Sequence, residues 1–154
     1  MKTLTLSLTF IAALALLATA STLTTSHMLA VSDTLLLTGG DTVAFTGAVH
    51  VVTQVTPPDP ITPPDPIVPV TVHLNLAGVS GVGPSGIRYE AVGSAKVQTT
   101  TTLPGTATIT GHSFRAVAQS NAWPADPVRV QVTLSFDAAG SVSAATAQLL
   151  EGIT

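Results

Sequence analysis

Three groups of side chains in this sequence have types that could do chemistry: the histidines, the carboxylates and a loop centred on a tryptophan. The four histidines are the only imidazole ligands, and no two of them stand at a spacing typical of a zinc motif. Strand pairing could still bring several histidines together with a carboxylate, but such clustering is invisible in a sequence. We therefore predict no metal and no cofactor. The histidines are His27, His50, His73 and His112.

The carboxylates could in principle support hydrolysis. Two carboxylic acids can cleave a glycoside, one as the acid and the other as nucleophile or base. Glu90 and Asp126 are candidates, but neither has an evident partner in the sequence. A serine hydrolase needs G-x-S-x-G at a strand-to-helix turn, and neither Ser80 nor Ser85 has that context. We predict no catalytic residue, and a small hydrolase using carboxylate or histidine chemistry is the alternative to a non-enzymatic role.

The loop of residues 121–127 is the strongest candidate for ligand binding. Trp123 lies at its centre, with Asn121 and Asp126 as polar neighbours. Loops on a rigid sheet often carry binding sites, and a tryptophan flanked by polar groups can hold a sugar or a peptide. The competing interpretation is that Trp123 closes the open end of the core. Asn121, Trp123 and Asp126 are therefore the predicted ligand-binding residues.

Gly81, Gly83 and Gly86 match the G-x-G-x-x-G pattern of dinucleotide sites. That site needs a helix directly after the glycines, because the helix N-terminus binds the pyrophosphate. The next residues, 87–90, alternate in polarity and predict a strand instead. The glycines therefore indicate a loop between strands.

The composition excludes several classes of function. The chain has no cysteine, so thiol catalysis, thiolate-bound metals and disulfides are all excluded. Charged residues make up 8% of the chain and the formal net charge is −3, without clusters of Lys and Arg. Nucleic acids bind such clusters, so we expect no nucleic-acid partner.

The first 20 residues have the pattern of a cleaved signal peptide. Lys2 precedes an apolar stretch over 4–17, and Ala18-Thr19-Ala20 is a small-x-small cleavage site. We expect an exported protein, secreted or periplasmic. No second apolar run is long enough to span a bilayer, so we expect no membrane span after cleavage.

Residues 21–55 divide into two predicted parts. Residues 21–33 are rich in Ser and Thr without periodicity, which predicts a disordered lead. Residues 34–55 contain two β-branched, apolar runs around Gly39-Gly40, a pattern typical of a β-hairpin. An isolated hairpin is marginally stable, so we expect it to pair with another sheet, in this chain or in trans. It is the predicted surface for a protein partner or self-association.

Residues 56–69 are predicted to be a stiff linker. The sequence TPPDPI occurs twice in succession there. Proline fixes φ and lacks an N–H group, which favours extended polyproline II. The alternative is that this segment is a ligand for a proline-binding groove.

Residues 70–154 are predicted to form an antiparallel β domain. Apolar residues alternate with polar ones over 70–76 and most clearly over 128–136, and Asp137-Ala138-Ala139-Gly140 is a typical turn. Further predicted strands cover 87–92, 95–103, 106–110, 113–119 and 141–149. Short strands separated by Gly and Pro predict an all-β fold, either a small sandwich or a partly open barrel.

Together these patterns favour an exported, non-enzymatic β-rich module with a structural, surface or interaction role. A small secreted hydrolase is one alternative. A β-barrel carrier of a small apolar ligand is the other. The sequence leaves open the partner, the strand order, the oligomeric state and whether the hairpin pairs in cis.

Overall fold

The computed structural model describes residues 21–57, 67–120 and 125–152. Seven strands in these residues each pair antiparallel with their neighbours in sequence, in one sheet that forms a nearly closed barrel. The prediction of an all-β antiparallel fold is confirmed. The strands are β1 (Leu23–Leu36), β2 (Thr42–Val55), β3 (Ile67–Val82), β4 (Arg88–Thr102), β5 (Gly105–Ala118), β6 (Asp126–Phe136) and β7 (Val142–Glu151).

Two pairs of predicted strands are single continuous strands. The runs predicted on either side of Gly93 join in β4, and those on either side of Gly111 join in β5. Gly93 has a φ of 134°, and a Cβ there would clash with the carbonyl oxygen of Ser113, so only glycine allows this close approach. The register of β5 against β6 shifts between Gly111 and Phe114, which marks a β-bulge.

The expectation of a disordered lead over 21–33 is corrected from Leu23 onward. Every residue from Leu23 to Leu36 pairs with β2, without a register shift. The inner face of this segment includes Thr25 and His27, which interrupts the apolar alternation that marks a strand. Hydrogen bonding to β2, and not an alternating pattern of its own, holds this segment in the sheet.

The segment predicted as a hairpin and the one predicted as a β domain share one sheet. β2 pairs with β3 from Val55↔Val70 to Thr46↔Ser80, so β2 has a partner on both edges within this chain. β3 begins at Ile67, within the segment predicted as linker. The predicted signal peptide, 1–20, and residues 58–66 of the proline-rich segment lie outside the described residues.

Three of the connections between strands have the same hydrogen-bond pattern. In the turns 37–41, 83–87 and 137–141, the first residue donates its N–H to the fifth carbonyl, and the fourth residue donates to the first. The fourth residue is a glycine in each turn; Gly140, for example, has a φ of 84°. The G-x-G-x-x-G run therefore ends in a hairpin turn between β3 and β4, as the sequence indicated.

The barrel interior is filled by apolar side chains. Inward-facing residues of β2, β3 and β6 are almost completely buried, while the outward positions carry a mixture of Thr, Ser and Gln with other residues. In the described residues, no helix is long and apolar enough to cross a membrane. The largest fully buried side chains are Phe45, Phe114, Leu74 and Leu134.

The two ends of the barrel differ in how completely the sheet is paired. We call the end with turns 37–41 and 83–87 the upper end, and the end with turn 137–141 the lower end. β4 and β5 pair only in the upper half, where Tyr89–Gly93 lies opposite Phe114–Ala118. In the lower half the described residues of these two strands form no pairs, so the sheet parts there into a four-stranded and a three-stranded layer.

Candidate functional site

The closing contact of the barrel is a seam between β1 and β7. Because the sheet has seven antiparallel strands, its first and last strands run in the same direction, and among the described residues they share no paired register. Two carboxylates bridge the upper half of this seam. Asp33 Oδ2 accepts a hydrogen bond from Leu149 N at 2.8 Å, and Glu151 Oε1 accepts one from Leu36 N at 3.0 Å.

A third carboxylate fixes the turn above the seam. Asp126 is the first residue of β6 and only 8% exposed, and its Oδ1 accepts a hydrogen bond from Thr38 N at 2.9 Å. This bond ties the turn between β1 and β2 to β6. The three side chains, Asp33, Asp126 and Glu151, are called the seam carboxylates below.

A cleft of about 390 Å³ opens at the upper end of the seam. It is lined by residues 35–38 and Gly40 from β1 and its turn, Asp126 and Pro127 from β6, and Glu151 and Gly152 from β7. The walls therefore combine apolar side chains and polar backbone groups with two carboxylates. Asp126 and Pro127, the last two residues of the segment predicted to bind a ligand, lie in this wall.

Of the three predicted ligand-binding residues, the structure describes Asp126 alone. It lies in the cleft wall, and its hydrogen bond to Thr38 gives it a structural role that the sequence did not reveal. Asn121 and Trp123 lie outside the described residues.

A second polar group lies at the upper end, between the turn 37–41 and the turn 83–87. Asp41 Oδ2 accepts hydrogen bonds from the hydroxyl groups of Tyr89, at 3.0 Å, and of Ser85. Tyr89 is buried, and this desolvation raises the pKa of its phenol above the ordinary value of 10.0. The hydrogen bond to Asp41 and the negative charges of Asp41 and Asp126 raise it further.

The charges at the upper end are unbalanced. Among the described residues no basic side chain forms an ion pair with an acidic one. Arg129 Nε donates to the backbone oxygen of Glu151 at 2.8 Å and not to its carboxylate. Glu90, the other candidate acid, is exposed on β4 opposite Val117. Among the described residues, no ion pair therefore neutralises the two carboxylates of the cleft.

The histidines do not converge on a metal site. In the described residues, no group of three or more His, Cys, Asp or Glu side chains is arranged to hold a metal ion. His27 lies on the inner face of β1, and its Nε2 is buried without a hydrogen-bond partner. His50, by contrast, faces outward on β2.

His50 contacts a serine hydroxyl group on the neighbouring strand. Its Nε2 lies 2.8 Å from Ser26 Oγ on β1, and Asn75 of β3 lies opposite His50 in register. A serine hydroxyl bonded to an imidazole is the basic unit of acyl-transfer catalysis. Sequence reasoning missed this pair because it depends on the register of β1 against β2, and β1 was not predicted that far toward the N-terminus.

Comparison of the chain with protein-family models, with curated proteins and with solved structures finds no match in any of the three. The cleft, the seam and the pair of Ser26 and His50 are the features of this chain that bear on function.

Proposed function

We propose that this chain is an exported, non-enzymatic interaction module that binds a cationic group of a partner in the cleft at its upper end. One observation carries the proposal: a cleft of about 390 Å³ has the carboxylates of Asp126 and Glu151 in its wall and no described cation paired with them. Clefts of this size accommodate a small ligand or one to two side chains of a peptide. An arginine or lysine side chain has the complementary charge.

The filled interior supports an interaction role over that of a carrier. Phe45, Phe114 and Leu74 are each less than 2% exposed and occupy the space in which a carrier would hold its ligand. A small barrel with such a core presents its outer surface and its ends for binding. The proposed contact is therefore at the end of the barrel.

Export is part of the same proposal. β1 begins at Leu23, so cleavage after Ala20 would leave all seven strands complete. The intact mass of the protein purified from its export pathway tests this: the proposal predicts a chain that begins at Ser21. A mass that includes residues 1–20 would contradict it.

Binding at the cleft can be tested by NMR titration with two peptides of opposite charge, tri-arginine amide and tri-glutamate. We expect tri-arginine to shift the backbone amides of Leu36, Thr38 and Gly152, and tri-glutamate to leave them unchanged. In Glu151→Gln, the side-chain oxygen can still accept from Leu36 but the charge is removed. This variant should weaken binding about fivefold or more, since charged hydrogen bonds are the stronger ones.

Glu90→Gln is the matched control, because Glu90 is an exposed carboxylate on the same half of the barrel without a role in the cleft. Its affinity for tri-arginine should equal that of the unmodified protein. Equal losses in Glu151→Gln and Glu90→Gln would show only a general effect of charge and would refute the cleft as the site.

A small hydrolase is the second candidate function, and the contact of 2.8 Å between Ser26 Oγ and His50 Nε2 is the observation in its favour. In that reaction Oγ attacks an ester carbonyl and its proton passes to Nε2 and then to the leaving alcohol. Water hydrolyses the acyl-serine afterwards. Hydrolysis of p-nitrophenyl acetate that is lost in Ser26→Ala and kept in Ser94→Ala would favour this candidate. The leading proposal predicts no such activity.

A further inference from the structure

β1 has a free edge, and the hydrogen-bond pattern identifies which residues form it. Leu37 N donates to Asp41 O within the hairpin, whereas Leu36 N points away from β2 and donates to Glu151. Since successive backbone groups of a strand point to opposite edges, even-numbered residues of β1 direct N–H and C=O toward the seam. The unbroken register with β2 extends this rule to Leu23.

The lower half of this edge is unsealed. The bridging contacts of Asp33 and Glu151 lie in the upper half, and below Asp33 neither a paired register nor a side-chain hydrogen bond joins β1 to β7 among the described residues. Leu29 on β1 and Ala145 and Ala147 on β7 are inner-face residues, yet they are only half-buried. The free backbone groups are those of Thr24, Ser26, Met28 and Ala30.

The unpaired lower half of β4 and β5 differs from the unpaired lower half of the seam between β1 and β7. Its lower end is closed by the short connection from Thr102 to Gly105, and its upper end by the pairing of Tyr89–Gly93. A Cβ on Gly111 would lie 2.9 Å from that of Ala95, so the two strands stay close between these ends. A further strand has no room there. At the seam, no described segment connects the lower ends of β1 and β7.

We propose that the lower half of the seam, residues 23–32 of β1, is a binding site for an extended strand of a partner protein. This surface is separate from the upper cleft, and either can fail without the other. β1 and β7 run in the same direction, so one strand placed between them would be antiparallel to both. Exposed strand edges pair readily with such segments, through backbone hydrogen bonds.

The side chains around the edge specify an uncharged strand. Residues 23–32 and 142–150 contain no Asp, Glu, Lys or Arg. Met28 is 59% exposed on the outer face and offers an apolar contact, and Ala145 and Ala147 present small, half-buried side chains on the inner face. His27 Nε2, buried without a partner on that inner face, would accept or donate to a hydroxyl. The expected strand alternates small apolar and hydroxyl residues.

A second copy of this chain fits the edge poorly. Its own free edge is also β1, and pairing the two would bring its β2 into the space that β7 occupies. An extended segment without a folded neighbour avoids that clash.

The probe for this site is a synthetic peptide with the sequence of Thr46–Val55, TGAVHVVTQV. These residues are the antiparallel partners of Ser32–Leu23 on the other edge, so the peptide matches both the register and the facing of side chains. Amide hydrogen exchange of the purified protein, monitored by NMR with and without the peptide, shows where the peptide binds. We expect exchange at Thr24, Ser26, Met28 and Ala30 to slow about tenfold or more.

Backbone methylation of the peptide provides a matched control. In the numbering of the chain, N-methylation of even-numbered residues of the peptide removes the N–H donors that face β1. N-methylation of odd-numbered residues leaves these donors in place. The first should abolish protection and the second should retain it.

A pair of variants tests the same edge in the protein. Met28→Pro removes one N–H that faces the seam without breaking a bond to β2, which is the position where an edge strand tolerates proline. Peptide affinity should fall about tenfold or more in Met28→Pro, and less than about threefold in Met28→Ala, which keeps the N–H.

Three results would overturn the proposal. The first is the absence of binding at millimolar peptide. The second is protection that appears on β4 and not on β1. The third is a protein that dimerises through β1 on its own, because the edge would then belong to a second copy.

Discussion

The upper and lower halves of the barrel differ in how completely hydrogen bonds close the sheet. In the upper half β4 pairs with β5, the seam carboxylates bridge β1 to β7 and β6, and inner residues such as Phe114 and Leu149 are at most 3% exposed. In the lower half β4 and β5 do not pair and no carboxylate bridges the seam, and inner residues beside these gaps, such as Leu29, Val97 and Ala145, are half-buried, while the inner residues of β2, β3 and β6 remain buried. One sheet is thus a barrel at one end and two layers at the other.

The difference shows that the backbone groups at the edge of a strand need hydrogen-bond partners for the barrel to close. Antiparallel closure is impossible for seven strands in sequence order, because the first and last run in the same direction. Side-chain carboxylates replace the backbone partners of Leu36 and Leu149 in the upper half. Where they end, the backbone of β1 remains free for a partner. The upper half of the seam is therefore closed by side chains, whereas the lower half keeps a free backbone edge.

The largest contrast should come from core truncations in the two halves. Phe45, in the upper half, is fully buried, so Phe45→Ala should lower the free energy of unfolding by about 3–5 kcal/mol through lost burial and a cavity. Leu29, in the lower half of β1, is half-buried, and Leu29→Ala should cost about 1 kcal/mol. Urea denaturation measures both. Equal losses would mean that the lower seam is packed as tightly as the upper core.

The seam carboxylates should have the next largest effect. Asp33→Ala leaves Leu149 N–H without an acceptor in a partly buried site, which should cost about 1–3 kcal/mol. Glu90→Ala changes an exposed carboxylate in the same half and should stay within about 0.5 kcal/mol. If the two variants unfold at the same urea concentration, the seam is not held by these bonds.

Tyr89 gives the upper half a dependence on alkaline pH. Its pKa is raised in the folded protein, so the folded state keeps its proton where the unfolded chain begins to lose it. This contribution to stability is complete below pH 10 and decreases as pH rises through the raised value. Tyr89→Phe should cost about 1 kcal/mol at neutral pH through the lost bond to Asp41, and should remove this decline. Urea denaturation at pH 8 and pH 11 compares the two; an identical alkaline loss in both proteins would contradict this role.

The smallest effect is expected for the pair of Ser26 and His50. Both lie on the outer face, where a single hydrogen bond contributes little, so Ser26→Ala should change stability by less than about 0.5 kcal/mol. The interaction role also predicts no change in the rate of p-nitrophenyl acetate hydrolysis. A measurable loss of hydrolysis in this variant would transfer the functional assignment to the hydrolase.

Much of the fold was predictable because strands with one buried face have apolar and polar residues in alternation. The alternation over 128–136 and the turn ending at Gly140 predicted β6, its turn and β7. The first half of β1 was missed because its inner face carries Thr25 and His27 at an incompletely closed seam. The period of two is weakest where burial is incomplete, and that is the region proposed to bind a partner.

The site was less predictable than the fold. Asp126 was selected as a polar residue near Trp123, but its bond to Thr38 joins residues far apart in the chain. The bonds of Asp33 to Leu149 and of Glu151 to Leu36 likewise join the two ends of the sheet. Such contacts depend on how the barrel closes, and a local pattern contains no information about closure.

The central claim is that β1 is sealed in its upper half and free in its lower half. Hydrogen exchange of the purified protein without any ligand, resolved by residue with NMR, tests it most directly. The account predicts strong protection at Leu36 and Leu149, whose N–H groups are bonded to carboxylates, and rapid exchange at Thr24, Ser26, Met28 and Ala30. Protection of these four amides equal to that of Leu149 would show that the lower seam is closed, and would contradict the account.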